Sequence, residues 1–262
     1  MAIALRWMMC LLVLATPIRI VHAQSQDAQD VDPQFDRPGI SFASWSLPAG
    51  SVAWEQGLPD ATWQHDGEAH VFQAVADSHL RIGMGHGLEL QLIGSPYAFQ
   101  RLSGGGSRQN AHGQGDGALA LKWTPTAPSA AWSWAVLGTH KLASGDATFG
   151  TQGRAEQLAV TVTRSLDGNQ SLTGSVARDL QASGNGWLTS LSYGFPIGSR
   201  VAGYLQAGSG SGVDRTRVAG GGVTMLLRHR VQLDGWLLRG LDRNSPDWQA
   251  GFGVSMALTR GR

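Results

Sequence analysis

The chain has 262 residues, enough for one substantial domain or one barrel, and it carries 20 basic against 19 acidic side chains. That near-neutral balance supplies no electrostatic footprint for nucleic acid. The sole cysteine, Cys10, falls in an N-terminal leader, which excludes a disulfide framework and thiolate metal sites from the mature chain.

The leader spans residues 1–23. Arg6 supplies its positive charge, Trp7 to Ala15 its short apolar run, and Val21-His22-Ala23 a small-residue cleavage site before Gln24. Thr16 and Pro17 interrupt the run well before the 18 or so apolar residues that a membrane anchor needs. Loss of Arg6 and Arg19 with the leader leaves the charge balance close to neutral. Residues 24–49 form a polar, acidic segment with Asp27, Asp30, Asp32 and Asp36, expected to lack a strand and to form a partial plug over Asp36 to Pro48.

From about Gly50 the pattern changes to period two. Twelve segments read as strands, near 50–58, 70–84, 87–100, 116–124, 131–142, 155–166, 170–180, 186–195, 200–208, 216–227, 230–239 and 247–258. In the last, Trp248, Ala250, Phe252, Val254, Met256 and Leu258 oppose Gln249, Gly251, Gly253, Ser255 and Ala257. Leu88, Leu90 and Leu92 likewise oppose Glu89 and Gln91, and Leu158, Val160 and Val162 oppose Ala159 and Thr161. Val71 to Met84 alternates cleanly only in its second half, and Val201 to Ala207 only roughly.

No apolar run after the leader is long enough for a membrane helix, yet an exported chain with 36 glycines, 10 tryptophans and few charges is unusual for a soluble enzyme. Strands that alternate lipid-facing and lumen-facing residues resolve that tension, because hydropathy averages out along each strand. The pattern predicts an all-β fold, a transmembrane antiparallel up-and-down β-barrel of about 12 strands over residues 50–258, with a short tail at 259–262 and both termini on the periplasmic side. Its partners are then outer-membrane lipid, the barrel-assembly machinery and small-molecule solutes.

Short connections, at Gly85-His86-Gly87, Pro125 to Ser129, Asp167-Gly168-Asn169, Pro196 to Ser199 and Arg228-His229, alternate with long ones at Leu102 to Gly115, Ala143 to Gly153, Gln181 to Gly186, Ser209 to Arg215 and Gly240 to Pro246. Such sorting is expected of tight periplasmic turns and long extracellular loops. Trp132, Trp187 and Trp248 open segments, and Trp123 and Phe195 close others, as interfacial girdles require.

Several stretches together carry a family pattern. They are Asp36-Arg37-Pro38-Gly39, Leu47-Pro48-Ala49-Gly50 leading into Val52 to Gly57, Leu80-Arg81-Ile82-Gly83 before Leu88-Glu89-Leu90, Gly115-Asp116-Gly117 to Lys122-Trp123, Leu142-Ala143-Ser144-Gly145 and Asp247 to Gly253. In this order and spacing the chain resembles, over roughly residues 36 to 258, the outer-membrane transporter-like β-barrels labelled for the meta-cleavage (MetA) pathway of phenol degradation. The resemblance implies an outer-membrane barrel with a role in small-molecule passage, and does not make phenol the substrate. The family usually ends on an aromatic residue read by the assembly machinery; here Leu258 holds that phase and Thr259-Arg260-Gly261-Arg262 extends past it.

Glu55, Arg81, Glu89 and Lys122 fall in the inward phase of the first four segments, where opposite charges can pair across neighbouring strands. Such a set either fixes register and fills the lumen, or forms a charged constriction that filters solutes. Asp234 and Gln232 are candidates to join it, and Trp236 and Leu238, also in inward phase, are candidates to block the lumen. For an outer-membrane enzyme the nearest pair is His140 with Ser144. Residues four apart on one strand are about 13 Å apart at ~3.3 Å per residue, against the roughly 3 Å that proton transfer needs. Gly208-Ser209-Gly210-Ser211-Gly212 reads as a flexible loop rather than a nucleophile elbow, and Gly83 to Gly87 lacks the following helix of a dinucleotide site. The histidines lack ligand spacing. No cofactor, metal or catalytic residue is expected. The leading function is passive or weakly selective passage of small molecules, hydrophobic or aromatic ones among them; the rivals are a non-conducting structural barrel and a lipid-modifying enzyme.

Overall fold

The computed structural model describes residues 34–259 except 128, 129, 152 and 214. The expected leader at 1–23, the first part of the polar segment and the end of the tail lie outside the described residues. Thirteen strands follow one another: β1 (Val52–Asp66), β2 (Ala69–Gly85), β3 (Leu88–Gly104), β4 (Ser107–Gly113), β5 (Gly117–Trp123), β6 (Trp132–Lys141), β7 (Ala155–Leu166), β8 (Gln170–Gln181), β9 (Gly184–Pro196), β10 (Val201–Gly212), β11 (Arg217–Arg228), β12 (Val231–Gly240) and β13 (Trp248–Thr259).

Strands consecutive in sequence pair antiparallel, except that β4 and β5 both pair with β3, and β1 pairs with β13, so the sheet closes on itself. The strands fill twelve positions, because β4 and β5 share one: Ala98 to Gly104 of β3 pair with β4, and Leu88 to Gly94 pair with β5. The fold is a closed twelve-position antiparallel barrel, in which β4 pairs with β3 alone.

The alternation read from sequence sorts two chemically different faces. Leu158, Leu191, Leu205 and Phe252 point outward and are 55–60% exposed, whereas the adjoining inward Ala159 is buried. Exposed leucines, valines and aromatics run round the ring from β3 to β13. Soluble proteins rarely expose an apolar surface of that extent, and a lipid-facing barrel requires it. Toward the two ends of the strands, arginines stack on outward aromatics: Arg178 lies 4.8 Å from the Trp187 ring, Arg239 4.6 Å from Trp248 and Arg164 5.2 Å from Trp132. Amphipathic pairs of this kind suit a membrane–water boundary.

Two expected connections are strands instead. The stretch from Leu102 to Gly115 holds the end of β3 and all of β4, turned at Gly105-Gly106, and Gly208 to Gly212 continues β10, paired with β9 through Gly212. Likewise β1 runs on to Asp66, well past residue 58. The strict alternation of short and long connections therefore fails: β1–β2, β3–β4 and β8–β9 close at that end of the barrel with tight turns, whereas residues 124–131 separate β5 from β6 at the other. Register shifts interrupt β1 between Gly57 and Asp60 and β2 between Ala76 and Ser78, which breaks the period-two phase in sequence. In β4, Arg108 to Asn110 are exposed on both faces, so no apolar face announces a strand.

Candidate functional site

The lumen is occupied by the chain's own N-terminal segment. Residues 34–49 run inside the barrel before β1 begins, and their polar groups are met by inward side chains from around the wall. The main-chain N–H groups of Asp36 and Arg37 donate to the Glu55 carboxylate at 3.0 and 2.7 Å, and that of Leu47 donates to Glu89 at 2.7 Å. Ile40 N–H donates to Gln206 on β10 at 3.0 Å, and Ser44 Oγ lies 2.6 Å from Ser133 Oγ on β6. A segment without secondary structure must find such partners when buried, and this wall supplies them.

Glu55, Arg81, Glu89 and Lys122 come together on β1, β2, β3 and β5. Arg81 grips Glu89 bidentately, Nε to Oε1 at 2.8 Å and Nη2 to Oε2 at 2.9 Å, and its Nη1 reaches Glu55 Oε1 at 2.8 Å and the Gln34 carbonyl at 2.9 Å. Lys122 Nζ donates to both oxygens of Asp36, at 2.7 and 2.9 Å, and Gln91 bridges Asp36 and Glu89 at 2.9 and 2.6 Å. Glu55, Arg81, Glu89, Gln91 and Lys122 are all fully buried. Charges so buried are tolerable only when paired, as Glu55, Arg81, Glu89 and Lys122 are here. The network's centre is Asp36, a plug residue, so the wall charges act on the plug as well as on one another.

Asp234 lies apart from this set and joins it through Arg37, whose guanidinium bonds Asp60 at 2.8 and 3.0 Å and Asp234 at 3.3 Å. Gln232 donates to the Arg37 carbonyl at 3.3 Å. The guanidinium lies over two cross-strand partners, Gly57 and Gly253: a Cβ at Gly253 would stand 2.6 Å from its Nε, and one at Gly57 2.9 Å from its Nη1. At the plug's exit Gly83 plays the same part, since a Cβ there would fall 2.0 Å from the Pro48 carbonyl oxygen.

Two cavities flank the segment. The inner one, about 420 Å³, faces the end of the barrel where β1 starts and is lined by residues 34–45 with Ser133, Thr163, Thr173, Ser192, Tyr204 and Thr224 among others. The outer one, about 640 Å³, faces the opposite end and is lined by Asp60, Asp77, His79, Ser95, Asp116, Lys141, Phe149 and Trp236 among others. Arg37 borders both, and no other lining residue does. Between them Phe42 packs on Ala120, Leu137, Ala159 and Ala177 with Ile93 and Leu188. Of the two candidates to block the lumen, Trp236 lines the outer cavity, and Leu238 is buried in the wall but borders neither cavity.

At the outer mouth Asp116 accepts N–H bonds from Gly145 at 2.8 Å and Thr151 at 2.6 Å. Burial works against its charge, but those donors outweigh it and hold the carboxyl below its ordinary range. Asp247 accepts from His65 Nδ1 at 2.6 Å and from the His65 N–H at 2.8 Å, tying the β1–β2 turn to the connection before β13; those bonds lower its pKa too. His140 and Ser144 are not brought together: His140 Nδ1 faces Glu156 at 3.6 Å, and Ser144 Oγ accepts the Gly117 N–H at 2.9 Å.

Asp36, Arg37, Asp60, Gln91 and Tyr204 are lumen residues that sequence reasoning did not assign to the network, although it placed Asp36 and Arg37 in the plug and Gln91 opposite the lipid-facing leucines. For Asp36 and Arg37 a signal existed: a carboxylate and a guanidinium adjacent in a segment expected to enter a charged lumen. For Asp60 the register shift after Gly57 hid its inward phase.

Residues 35–258 match the protein family described as "Putative MetA-pathway of phenol degradation". The chain belongs to this family. The match to the MetA-pathway family takes in the lumenal segment as well as the barrel, beginning one residue before Asp36. No curated protein matches the chain at a significant level. Among solved structures, this family member is similar to an outer-membrane channel from Pseudomonas putida F1, at 13% identity and TM-score 0.63, over 84% of this chain and 99% of that one. It is also similar to the KdgM porin solved with disordered oligogalacturonate, at 6% identity and TM-score 0.52, over 80% of this chain and 99% of that one. Both likenesses are of fold, that of outer-membrane barrels.

Proposed function

We propose that this barrel provides a narrow passage for small molecules across the bacterial outer membrane, and that its N-terminal segment sets the width of that passage. The observation that carries this reading is the pair of lumenal cavities, open toward opposite ends and meeting at one side chain, Arg37. A barrel meant only as a structural element has no need of lumenal space on both sides of one shared residue. The passage is weakly selective and takes small solutes, hydrophobic or aromatic ones included, since Phe42 and Trp236 offer apolar surface along a polar route. The end at which β1 starts and β13 finishes faces the periplasm, so the inner cavity opens there and the outer one to the cell exterior.

Single-channel recording of the refolded barrel in a planar bilayer tests the reading. Small discrete current steps are expected, enlarged severalfold when the segment is loosened by Asp36→Asn. A folded barrel that stays silent both as wild type and as the variant contradicts the proposal.

A further inference from the structure

On the lipid-facing surface, one stretch differs from its surroundings. At the end of the barrel where β1 finishes and β13 starts, cross-strand partners line up as Arg239, Trp248, Trp63, Phe72, Arg101 and Asn110, from β12 through β13, β1, β2 and β3 to β4. Directly paired residues share a face, and Trp63 and Trp248, 37% and 41% exposed, fix it as the outward one. The next outward row toward the rim holds His65, His70, Ser103 and Arg108. Further down the same strands, the outward row is Val231, Met256, Trp54, Leu80, Leu92 and Leu119, without a charge. From Trp248 to Met256 the strand runs roughly 26 Å at ~3.3 Å per residue, or about 20 Å along the membrane normal at the usual tilt. An apolar belt is ~25 Å tall, so the arginine-bearing row lies at its edge.

The donors of that row are open. Arg239 stacks on Trp248, 4.6 Å from the ring centre, and Arg101 on Phe99 at 5.5 Å. Among the described residues Arg239 makes no hydrogen bond, and Arg101 makes one, from Nε to Asn110 at 3.2 Å. The indole N–H groups of Trp63 and Trp248 likewise have no acceptor among the described residues, whereas that of Trp54, in the apolar row, donates to Ser78 at 2.9 Å. The wall meets its own donor where acyl chains surround it and leaves donors open at headgroup depth. The acids nearby are Asp247, held by His65 at 2.6 Å and close to Arg239, and Asp66 and Glu68 at the β1–β2 turn beyond both rows.

Guanidinium and indole N–H groups donate only, so their ligand must accept, and phosphate oxygens do so most strongly toward arginine. The aromatic side chains between the arginines require that the phosphate be carried on an amphipathic body. Arg239 and Arg101 stand four strand spacings apart, roughly 19 Å at ~4.8 Å each, so two anions on one broad headgroup suit them better than a single one. We propose that this row is a binding site for a diphosphorylated glycolipid of the outer leaflet, with Arg239 and Arg101 each taking one phosphate and Trp248, Trp63 and Phe72 lying against the boundary between sugar and acyl chains. The inference rests on the orientation given with the passage reading, in which this end faces the cell exterior.

The test is native mass spectrometry of the full detergent-solubilised barrel, titrated with lipid A carrying two phosphates, with its monophosphorylated form and with phosphatidylglycerol. The diphosphorylated lipid is expected to bind about fivefold tighter than either of the others. Arg101→Gln and Arg239→Gln should each lower its affinity about fivefold, and Arg164→Gln, stacked on Trp132 near the opposite end, should leave it unchanged. The comparison of lipids uses the unaltered chain, so it decides the matter even where a variant folds poorly. The inference is overturned if the three lipids bind alike, if phosphatidylglycerol binds best, or if both arginine variants keep the parent affinity. Binding is read without current, so a barrel silent in the bilayer leaves this site standing, and a preference for phosphatidylglycerol removes the site while leaving conduction intact.

Discussion

Arg81 carries the greatest weight among single residues in the lumen. It is fully buried and holds Glu55 and Glu89 at 2.8 Å. Arg81→Met keeps most of the volume but strands two buried carboxylates, and a broken buried pair typically costs about 3–5 kcal/mol. The variant is expected to unfold at lower temperature in a gel heat-modifiability assay; an unchanged transition would mean that water already screens the network. Asp116 gives a prediction with a defined sign. Its folded pKa is depressed, so its contribution is present above the unfolded carboxylate value near ~4 and is lost as pH falls through the folded value. The connection after β6, held at Gly145 and Thr151, should become protease-sensitive in acid, and Asp116→Asn should show that sensitivity already at neutral pH. Residues of this kind differ in how far sequence exposes them. Glu55, Arg81, Glu89 and Lys122 sit in clean period-two segments, so their inward phase could be read directly. Tyr204 could not be read, because Val201 to Ala207 alternates only roughly and the space its ring uses is created by Gly222 on another strand. The position of Arg37 depends on three strands at once, β1, β12 and β13, a relation that no local pattern encodes.

Among the elements, the legible strands are those with a lipid face. β7 matches its sequence reading end to end, from Ala155 to Leu166, because leucine and valine alternate with small polar residues without a bulge. β4 and the far end of β1 were hidden because strand continuing past an apolar belt keeps its backbone pairing while losing its greasy face. The plug is the element most dependent on glycine. Gly83 lets the Leu47-Pro48 backbone pass directly over β2, and the atoms that an added Cβ would meet there are main-chain carbonyls, which cannot swing aside. Gly83→Ala should therefore displace the plug's exit and lower stability by about 1–3 kcal/mol, the usual range for overpacking. Limited proteolysis of residues 34–49 would show the displacement; full protection would indicate that β2 itself gives way.

For the molecule as a whole, a closed ring of strands leaves the lumen as the place where specificity can reside, and its two sides differ. Charge gathers on β1, β2, β3 and β5, where it holds the plug. Neutral hydroxyls coat the wall from β6 to β11, where the inner cavity lies. On this account the plug stays in place during passage and the Arg37 side chain, the one residue that borders both cavities, is the point at which they connect. The most direct test locks the segment and opens that single point. Ser44 and Ser133, with oxygens 2.6 Å apart, can be replaced by a cysteine pair at a separation suited to a disulfide, in a chain whose Cys10 is also substituted. Arg37→Ala with Asp60→Asn is then added to the oxidised, locked barrel, and single-channel conductance is recorded. The account predicts a severalfold larger current step in the locked double variant than in the locked parent. Equal steps, rising only after the disulfide is reduced, would contradict it and show that the whole segment must leave the lumen.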